Sequence, residues 1–288
     1  MSTRIHPSDN PHHPDLRILP INRLIEHEFN DMGRTGPLAK RLEQEGLLKN
    51  PPLVTPLGDE DDHYVVLDGA NRITSFQLLE YPHILVQVVP YTPPQVTLTT
   101  WHHVIVGIDP KTLTADLSAL EGIDLILTDP LRARAGLARR EYLMYVIRAD
   151  EEVFAARMSE PGQEINVQIS SLNSLVDTYK DRCSLHRVMT EDMAEVNILF
   201  PGSAGIVVFP QYQPSEVLDL ARDGELLPAG LTRHLIQGRA LRVNYPLRYL
   251  KSELSLEKKN SKLNAWFEEK IKSREVRFYG ETTYMFDE

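Results

Sequence analysis

Cysteine is nearly absent from this sequence: Cys183 is the only one in 288 residues. A single thiol cannot form an internal disulfide, so the composition does not indicate an oxidising compartment. Long apolar runs are absent too, since no stretch reaches the roughly 18–20 apolar residues of a membrane-spanning helix. The first residues also lack the apolar stretch of a secretion signal. We therefore expect a cytoplasmic protein that is neither secreted nor embedded in a membrane.

Positive charge is scarce. The chain has 31 lysines and arginines against 41 acidic residues, which gives a formal net charge of −10. A protein that binds the DNA backbone needs a positive surface to neutralise the phosphates, so we expect no nucleic acid among its partners. A local basic pocket is compatible with this balance.

The length suits two packed domains, because a domain usually has about 100–200 residues. Residues 1–15 are polar and rich in proline and histidine, which predicts a flexible leader. Residues 16–92 predict a compact α/β domain, and the paired prolines of Tyr91-Thr92-Pro93-Pro94 predict a linker after it. Residues 93–288 alternate strand-like and helix-like segments. The predicted class is α/β or α+β, with a second mixed α/β domain at 93–288.

Several segments have a clear periodicity. LVTPL and YVVLD, separated by the acidic turn GDEDDH, predict a β-hairpin. Further strands are predicted at IDLILT, YLMYVIRA, GIVVFPQY and RALRVNY. Helices are predicted at residues 167–181, 214–222 and 246–273, and the last of these places Leu263, Phe267 and Ile271 on one face, which indicates core packing.

The strongest local signal is Asp68-Gly69-Ala70-Asn71-Arg72, between a predicted strand and a predicted helix. It is not a Walker A loop, because the GxxxxGK[ST] spacing is absent. A glycine lets the backbone approach a ligand closely, and the first N–H groups of the following helix attract an anion. Asn71 and Arg72 would add donors to phosphate oxygens, and Asp68 could hold Mg²⁺ or align the transferred group. The alternative is an ordinary turn in which Asp68 caps the helix.

A second candidate, Glu26-His27-Glu28, follows the first predicted strand. Two carboxylates beside a histidine can supply a general base within reach of a hydroxyl group. Taken alone, the three residues are better explained by a solvated acidic loop.

Two further clusters suit a small ligand. Trp101 and His102 offer an aromatic plate and an imidazole for a pocket, although a buried tryptophan beside a hydrogen-bonded histidine is a common core arrangement. Thr232, Arg233 and His234 follow a Pro-Ala-Gly turn, and they offer a hydroxyl group and a guanidinium fork to a carboxylate or phosphate. A turn before a strand with a surface arginine is the alternative there.

Taken in order, these segments resemble the ParB amino-terminal and sulfiredoxin superfamily. Over residues 16–288 the chain resembles the free L-serine kinases of that superfamily, of the archaeal ADP-dependent and staphylococcal siderophore-cluster types. The stretches that carry the resemblance are IEHEF, LDGANR, TTWHH, LVDTYKDRCSLHRV and PAGLTRHLIQGRALRVNYPL. The last stretch separates these kinases from ParB itself.

The resemblance implies Mg²⁺-dependent phosphoryl transfer from ADP or ATP to the hydroxyl group of L-serine, giving O-phospho-L-serine for cysteine or siderophore synthesis. It implies that Glu28 is the base, with His27 alongside, and that Asp68 lies at the transferring phosphate, where it is also the candidate Mg²⁺ ligand. It assigns the nucleotide phosphates to Gly69, Ala70, Asn71, Arg72 and Thr74. It assigns the amino acid to Trp101, His102, Thr232, Arg233 and His234.

One position departs from the family pattern. Members commonly carry histidine before the arginine of the phosphate loop, whereas this chain has Asn71. Asparagine keeps the capacity to hydrogen-bond but cannot be protonated at neutral pH. The alternative function is therefore a ParB-like nucleotide-binding regulator without kinase turnover.

Overall fold

The structure is a computed structural model that describes residues 13–30, 32–279 and 283–286. Most of the predicted leader, residues 1–12, lies outside the described residues. The chain divides into two compact units. Unit 1 contains the described residues up to Thr97 and those from His234 onward, and unit 2 is Leu98–Arg233.

The described strands and helices are numbered in chain order. The strands are β1 (Asp15–Pro20), β2 (Leu24–Glu26), β3 (Leu47–Leu48), β4 (Leu53–Pro56), β5 (Tyr64–Asp68), β6 (His83–Val88), β7 (Val96–Thr100), β8 (His102–Val106), β9 (Ile123–Thr128), β10 (Met144–Arg148), β11 (Val153–Met158), β12 (Ser184–Val188), β13 (Ser203–Val208), β14 (Thr232–Ile236), β15 (Arg239–Leu241), β16 (Tyr245–Pro246), β17 (Val276–Tyr279) and β18 (Thr283–Phe286). The helices are α1 (Met32–Glu45), α2 (Ala70–Leu78), α3 (Pro110–Ser118), α4 (Pro130–Ala138), α5 (Ile165–Asp177), α6 (Met193–Leu199), α7 (Pro214–Arg222), α8 (Leu247–Lys251) and α9 (Leu256–Lys272).

Unit 1 is built on a mixed five-stranded sheet with the order β1-β6-β4-β5-β2. The predicted hairpin is confirmed, because β4 pairs antiparallel with β5 and Val54 lies opposite Val66. The apolar face of α2 and that of α9 join the core of this unit, with Phe76 and Phe267 buried in it. This agrees with the predicted packing role of the late helix.

One pairing in this sheet positions the candidate site. Strands β2 and β5 are neighbours and run parallel, with Glu26 opposite Val66. Parallel neighbours end at the same edge of a sheet, so the segments that follow them emerge side by side. The segment after β2 begins with His27 and Glu28, and β5 ends at Asp68, directly before Gly69. Two candidate motifs that are separate in sequence therefore meet at one edge.

Unit 2 is built on a six-stranded sheet with the order β12-β8-β13-β10-β11-β9, and its recorded strand pairs are antiparallel. Two of its helices begin with the same device. Asp109 caps α3 by accepting the N–H of Lys111, and Asp129 caps α4 by accepting the N–H of Arg132. In both helices a proline occupies the first turn, where its missing N–H group costs nothing.

The division into units differs from the predicted domains 16–92 and 93–288. Residues 234–288 belong with the first 97 residues, and the chain passes between units at 97/98 and 233/234. Helix α9 is fixed to β1 through Asn260, which donates to the Ile18 carbonyl at 2.9 Å and accepts the Ile18 N–H at 2.8 Å. Periodicity shows which face of a helix is apolar, but it does not show which of two cores that face joins.

The predicted helix 246–273 is also interrupted. It consists of α8 and α9, because Ser252 has an extended backbone and the Ser255 side chain caps a new helix by accepting the Lys258 N–H. Among the described helices, none has both the length and the apolar composition required to cross a membrane.

Candidate functional site

The turn after β5 has the geometry of an anion-binding loop. Gly69 has φ +99° and ψ 22° and directly precedes α2. A Cβ atom at this position would lie 2.6 Å from Arg72 Nη1 and 3.0 Å from the Pro52 Cα atom. The backbone conformation and the crowding therefore both require glycine. The helix that follows points its first N–H groups toward the turn.

Two guanidinium groups flank the carboxylate of Asp68. Arg239 Nη2 makes a very short ion pair with Asp68 Oδ2, and Arg72 Nη2 lies 4.0 Å from the same oxygen. Burial lowers the pKa of Arg72, Asp68 raises it, and the nearby Arg239 lowers it again. Within the described residues, the buried Arg72 Nη1 and Arg239 Nε atoms have no hydrogen-bond partner. Two cations against one carboxylate leave an excess positive charge, and an anion would satisfy these donors.

Arg239 has no role in the sequence prediction, although it follows the Thr232-Arg233-His234 cluster closely. Its place beside Asp68 depends on β15, which starts 171 residues after Asp68. The available signal was an arginine in a stretch that already carried the family resemblance.

The other residues of the predicted phosphate loop hold the loop together. Thr74 Oγ1 accepts a hydrogen bond from Asn30 at 2.8 Å and lies 3.3 Å from Glu26 Oε1. The Ser75 hydroxyl donates to the Asn71 carbonyl at 2.7 Å. The Thr74 contacts connect α2 to Glu26 at the end of β2 and to Asn30 after it, whereas the Ser75 bond lies within α2. The phosphate contacts predicted for Asn71 and Thr74 remain predictions.

His27 and Glu28 lie together at the edge shared by β2 and β5. His27 is buried, and its Nδ1 atom lies 2.7 Å from the Val66 carbonyl oxygen. A carbonyl oxygen only accepts, so Nδ1 carries a proton and is the donor of this bond. The Nε2 atom lies 3.9 Å from Glu28 Oε1, and the Glu28 side chain is 15% exposed. A mostly buried carboxylate beside an oriented imidazole suits a general base.

His234 lies in unit 1, with its ring edge-to-face against His27 at a centroid distance of 5.4 Å. Its Nε2 atom is 2.7 Å from the hydroxyl oxygen of Tyr91. Burial holds the pKa of His234 well below its usual range, and His27 lowers it further. Tyr91, which was predicted to start a linker, is buried instead.

In unit 2 the structure brings Trp101 and Arg233 together. The Arg233 guanidinium carbon lies 4.8 Å from the Trp101 ring centroid, which is a cation–π distance. The backbone N–H of Trp101 donates to the Leu231 carbonyl at 2.8 Å, and the Thr99 hydroxyl group donates to the Arg233 carbonyl at 3.2 Å. Thr232 is the first residue of β14 and is partly buried.

His102 and His103 face opposite sides of β8, as neighbouring strand residues do. His103 is fully buried and its Nδ1 atom lies 3.1 Å from the Tyr179 hydroxyl oxygen. Burial lowers the pKa of His103 to about 3. His102 lines a cavity of about 520 Å³ within unit 2, together with Arg134, Tyr145 and Glu191. His102, which was predicted to bind the amino acid, and the core residue His103 therefore lie on opposite faces of the sheet.

The Asp68–Arg72 turn offers a magnesium ion one protein carboxylate, that of Asp68. Among the described residues, no group of three or more His, Cys, Asp or Glu side chains is arranged to hold a metal ion. Mg²⁺ is commonly bound by one or two carboxylates together with substrate phosphates. The Asp68 side chain is 39% exposed, so it fits an ion held mainly by a nucleotide.

No family model matches the chain. Over nearly its whole length, the chain is similar to the ATP-dependent L-serine kinase SbnI of Staphylococcus aureus. The two are 25% identical over 281 residues, which cover 96% of this chain and 98% of SbnI. An ATP-dependent L-serine kinase of Staphylothermus marinus is 24% identical over 254 residues, which cover 83% of this chain and 92% of the relative.

The solved structures that resemble the chain give the same picture of the fold. SbnI from Staphylococcus aureus with a carboxy-terminal truncation has a TM-score of 0.69 at 21% identity, and the match covers 92% of this chain and 99% of that structure. A free serine kinase in complex with AMP has a TM-score of 0.69 at 20% identity, and the match covers 82% and 93%. At these identities the likeness establishes a shared α+β fold.

Proposed function

We propose that this chain is a kinase of free L-serine that transfers a phosphoryl group from ATP to the serine hydroxyl group and releases O-phospho-L-serine. The observation that carries the proposal is the parallel pairing of β2 and β5, which places Glu28 and the Asp68–Arg72 turn at one sheet edge. The relatives named above are ATP-dependent L-serine kinases, and they match 96% and 83% of the chain. That name favours ATP over ADP as the donor.

In this proposal, unit 1 is a nucleotide-binding domain of the ParB/sulfiredoxin type. Its positive turn binds the nucleotide phosphates through the α2 N–H groups, Arg72 and Arg239. The buried Arg72 Nη1 and Arg239 Nε atoms support this role, because a phosphate supplies the acceptors that the described residues do not. Ala70 and Asn71 contribute through their backbone at the helix start.

Glu28 acts as the general base. Its carboxylate takes the proton of the serine hydroxyl group as that oxygen forms a bond to the γ-phosphorus, while the bond to the ADP leaving group breaks. His27 holds its Nε2 atom toward the carboxylate at 3.9 Å. Phosphoryl transfer depends mainly on positioning and charge neutralisation, so a base and an anion site account for most of the chemistry.

Asp68 would hold Mg²⁺ together with the nucleotide phosphates. The ion, when bound, supplies charge neutralisation on the phosphate oxygens. Asp68 also orients the Arg239 guanidinium through their ion pair. In this proposal the Asp68 carboxylate therefore interacts with both the metal ion and the Arg239 guanidinium.

The amino acid is assigned to the residues predicted from the sequence. Arg233 is held flat against Trp101, and a guanidinium fixed in this way can bind a carboxylate in bidentate fashion. Thr232 and His102 are proposed to supply further hydrogen bonds. His234 packs edge-to-face on His27 and is proposed to act through that ring instead. We expect the reaction to take place in the cytoplasm.

A phosphorus NMR assay tests the proposal. The full chain is incubated with Mg²⁺, L-serine and either ATP or ADP, and the resonance of O-phosphoserine is followed together with that of ADP or AMP. We expect phosphoserine with ATP and none when serine is omitted. Nucleotide binding without phosphoserine from either donor would instead support the ParB-like regulator.

A further inference from the structure

Three rings in contact lie beside the proposed base: Tyr91 and His27 are buried and His234 is partly buried. We call this row of rings the stack, although its contacts are edge-to-face and tilted. The Tyr91 hydroxyl oxygen lies 2.7 Å from His234 Nε2, and the His234 ring packs edge-to-face on His27. His27 in turn points its Nε2 atom toward Glu28 Oε1 at 3.9 Å. These four residues all belong to unit 1.

The backbone of β5 lies against two rings of the stack. The Val66 carbonyl oxygen accepts from His27 Nδ1, so Nε2 is the ring nitrogen that faces Glu28. The backbone of Leu67 raises the pKa of His234, whereas burial and His27 lower it. The Tyr91 hydroxyl oxygen lies 2.7 Å from His234 Nε2, and in the arrangement inferred below Tyr91 is the donor of this bond.

The stack is also electrostatically coupled to the base. Burial raises the pKa of Tyr91 well above its usual range, and the negative charge of Glu28 raises it further. A tyrosine hydroxyl group in this environment stays protonated and remains a donor. Three polar rings at this position cost desolvation energy that apolar rings would avoid, so a purely packing role does not account for their polar atoms.

We infer that Tyr91 is a positioning residue for the proposed base: its hydroxyl group fixes the ring of His234, His234 fixes the plane of His27, and His27 orients the Glu28 carboxylate. The inference rests on the proposed kinase function. When Glu28 takes the serine proton, its carboxyl group stays beside His27 Nε2. The proton stays on the carboxyl oxygen, so no other group changes charge.

The test uses Tyr91→Phe, which keeps the ring and removes only the hydroxyl group. We expect kcat to fall by roughly tenfold, as for the loss of one hydrogen bond that orients a base, while the KM values for ATP and serine change little. Tyr81→Phe is the matched control, because Tyr81 packs against Phe76 in the same unit and outside the stack. Its kcat should equal that of the wild type.

Nitrogen NMR of the imidazole rings provides a readout that is independent of turnover. In the Tyr91→Phe variant, the Nε2 resonance of His234 should move toward the value of a ring without a donor, and the His27 resonances should shift with it. His234→Gln should lower kcat by a similar factor. The double variant should then be no slower than the slower single variant, because both changes break the same chain of contacts.

Three results would overturn the inference. If Tyr91→Phe shifts the His234 resonance but leaves kcat unchanged, the stack is structural and the kinase proposal is unaffected. If the two single effects multiply in the double variant, Tyr91 and His234 act independently. Failure of the wild type to form phosphoserine would reject the kinase function itself, and the positioning role with it.

Discussion

Arg239 Nη2 is bonded to Asp68 Oδ2 across 171 residues of sequence, and this ion pair joins β15 to the turn before α2. The same turn holds Arg72, whose pKa burial lowers. The result is a small positive site in a chain with a net charge of −10. An acidic protein can therefore have a local positive site without a basic surface, because two arginines converge on one helix start.

Arg239→Ala should weaken nucleotide binding. The variant removes a guanidinium group that flanks the Asp68–Arg72 turn. Hydrogen bonds to charged groups contribute about 1.5–3 kcal/mol. We therefore expect an increase in the Kd for ATP of about 10–100-fold. Titration calorimetry checks this. Arg242→Ala is the control, because Arg242 is exposed in the same unit. Equal Kd values for the two variants would remove Arg239 from the site.

Glu28→Gln should separate binding from turnover. Glutamine keeps the size of the side chain but cannot take a proton, so turnover should fall by roughly 10²–10⁴-fold while the Kd for ATP stays within a factor of about three. Steady-state kinetics and calorimetry measure the two effects. Glu268→Gln, at an exposed position on α9, should retain full activity. Full turnover in Glu28→Gln would show that another group is the base.

Gly69→Ala should disrupt the turn more than an ordinary glycine substitution does. Gly58 is the matched control, because it also has a positive φ, +78°, but a Cβ atom there meets nothing within 4 Å. Gly58→Ala should lower the free energy of unfolding only by the cost of placing a side chain at positive φ, about 1–2 kcal/mol. Gly69→Ala adds a clash with Pro52 and displaces Arg72, so urea unfolding should show a larger loss, and ATP binding should weaken. Equal losses of stability would mean that crowding at residue 69 is unimportant.

Acid should destabilise the protein partly through His103. Its pKa falls from 6.5 in the unfolded chain to about 3 in the folded one because it is buried. Between these values the unfolded state binds more protons, so the free energy of unfolding decreases as the pH falls through this window. One proton corresponds to a slope of about 1.4 kcal/mol per pH unit. His103→Gln should reduce the measured slope by about that amount, and an unchanged slope would contradict the prediction.

Local pattern alone was sufficient for several parts of this protein. The hairpin of β4 and β5, the glycine turn before α2 and the apolar helical face that carries Phe267 could be predicted. Each of these depends on interactions between residues close in sequence, such as the alternation of a strand, the positive φ of a glycine or the spacing of apolar side chains along a helix. Sequence also grouped His27 with Glu28, because the two residues are adjacent.

Tertiary structure decided which of these elements and side chains come into contact. Three contacts join residues that are far apart in the chain. They are the parallel pairing of β2 with β5, the ion pair of Arg239 with Asp68 and the contact of the buried Tyr91 with His234. A periodic pattern describes which face of an element is apolar but carries no information on its partner. Long-range pairing is set by the packing of the whole core, and this is why Tyr91, expected in a linker, is instead a buried donor.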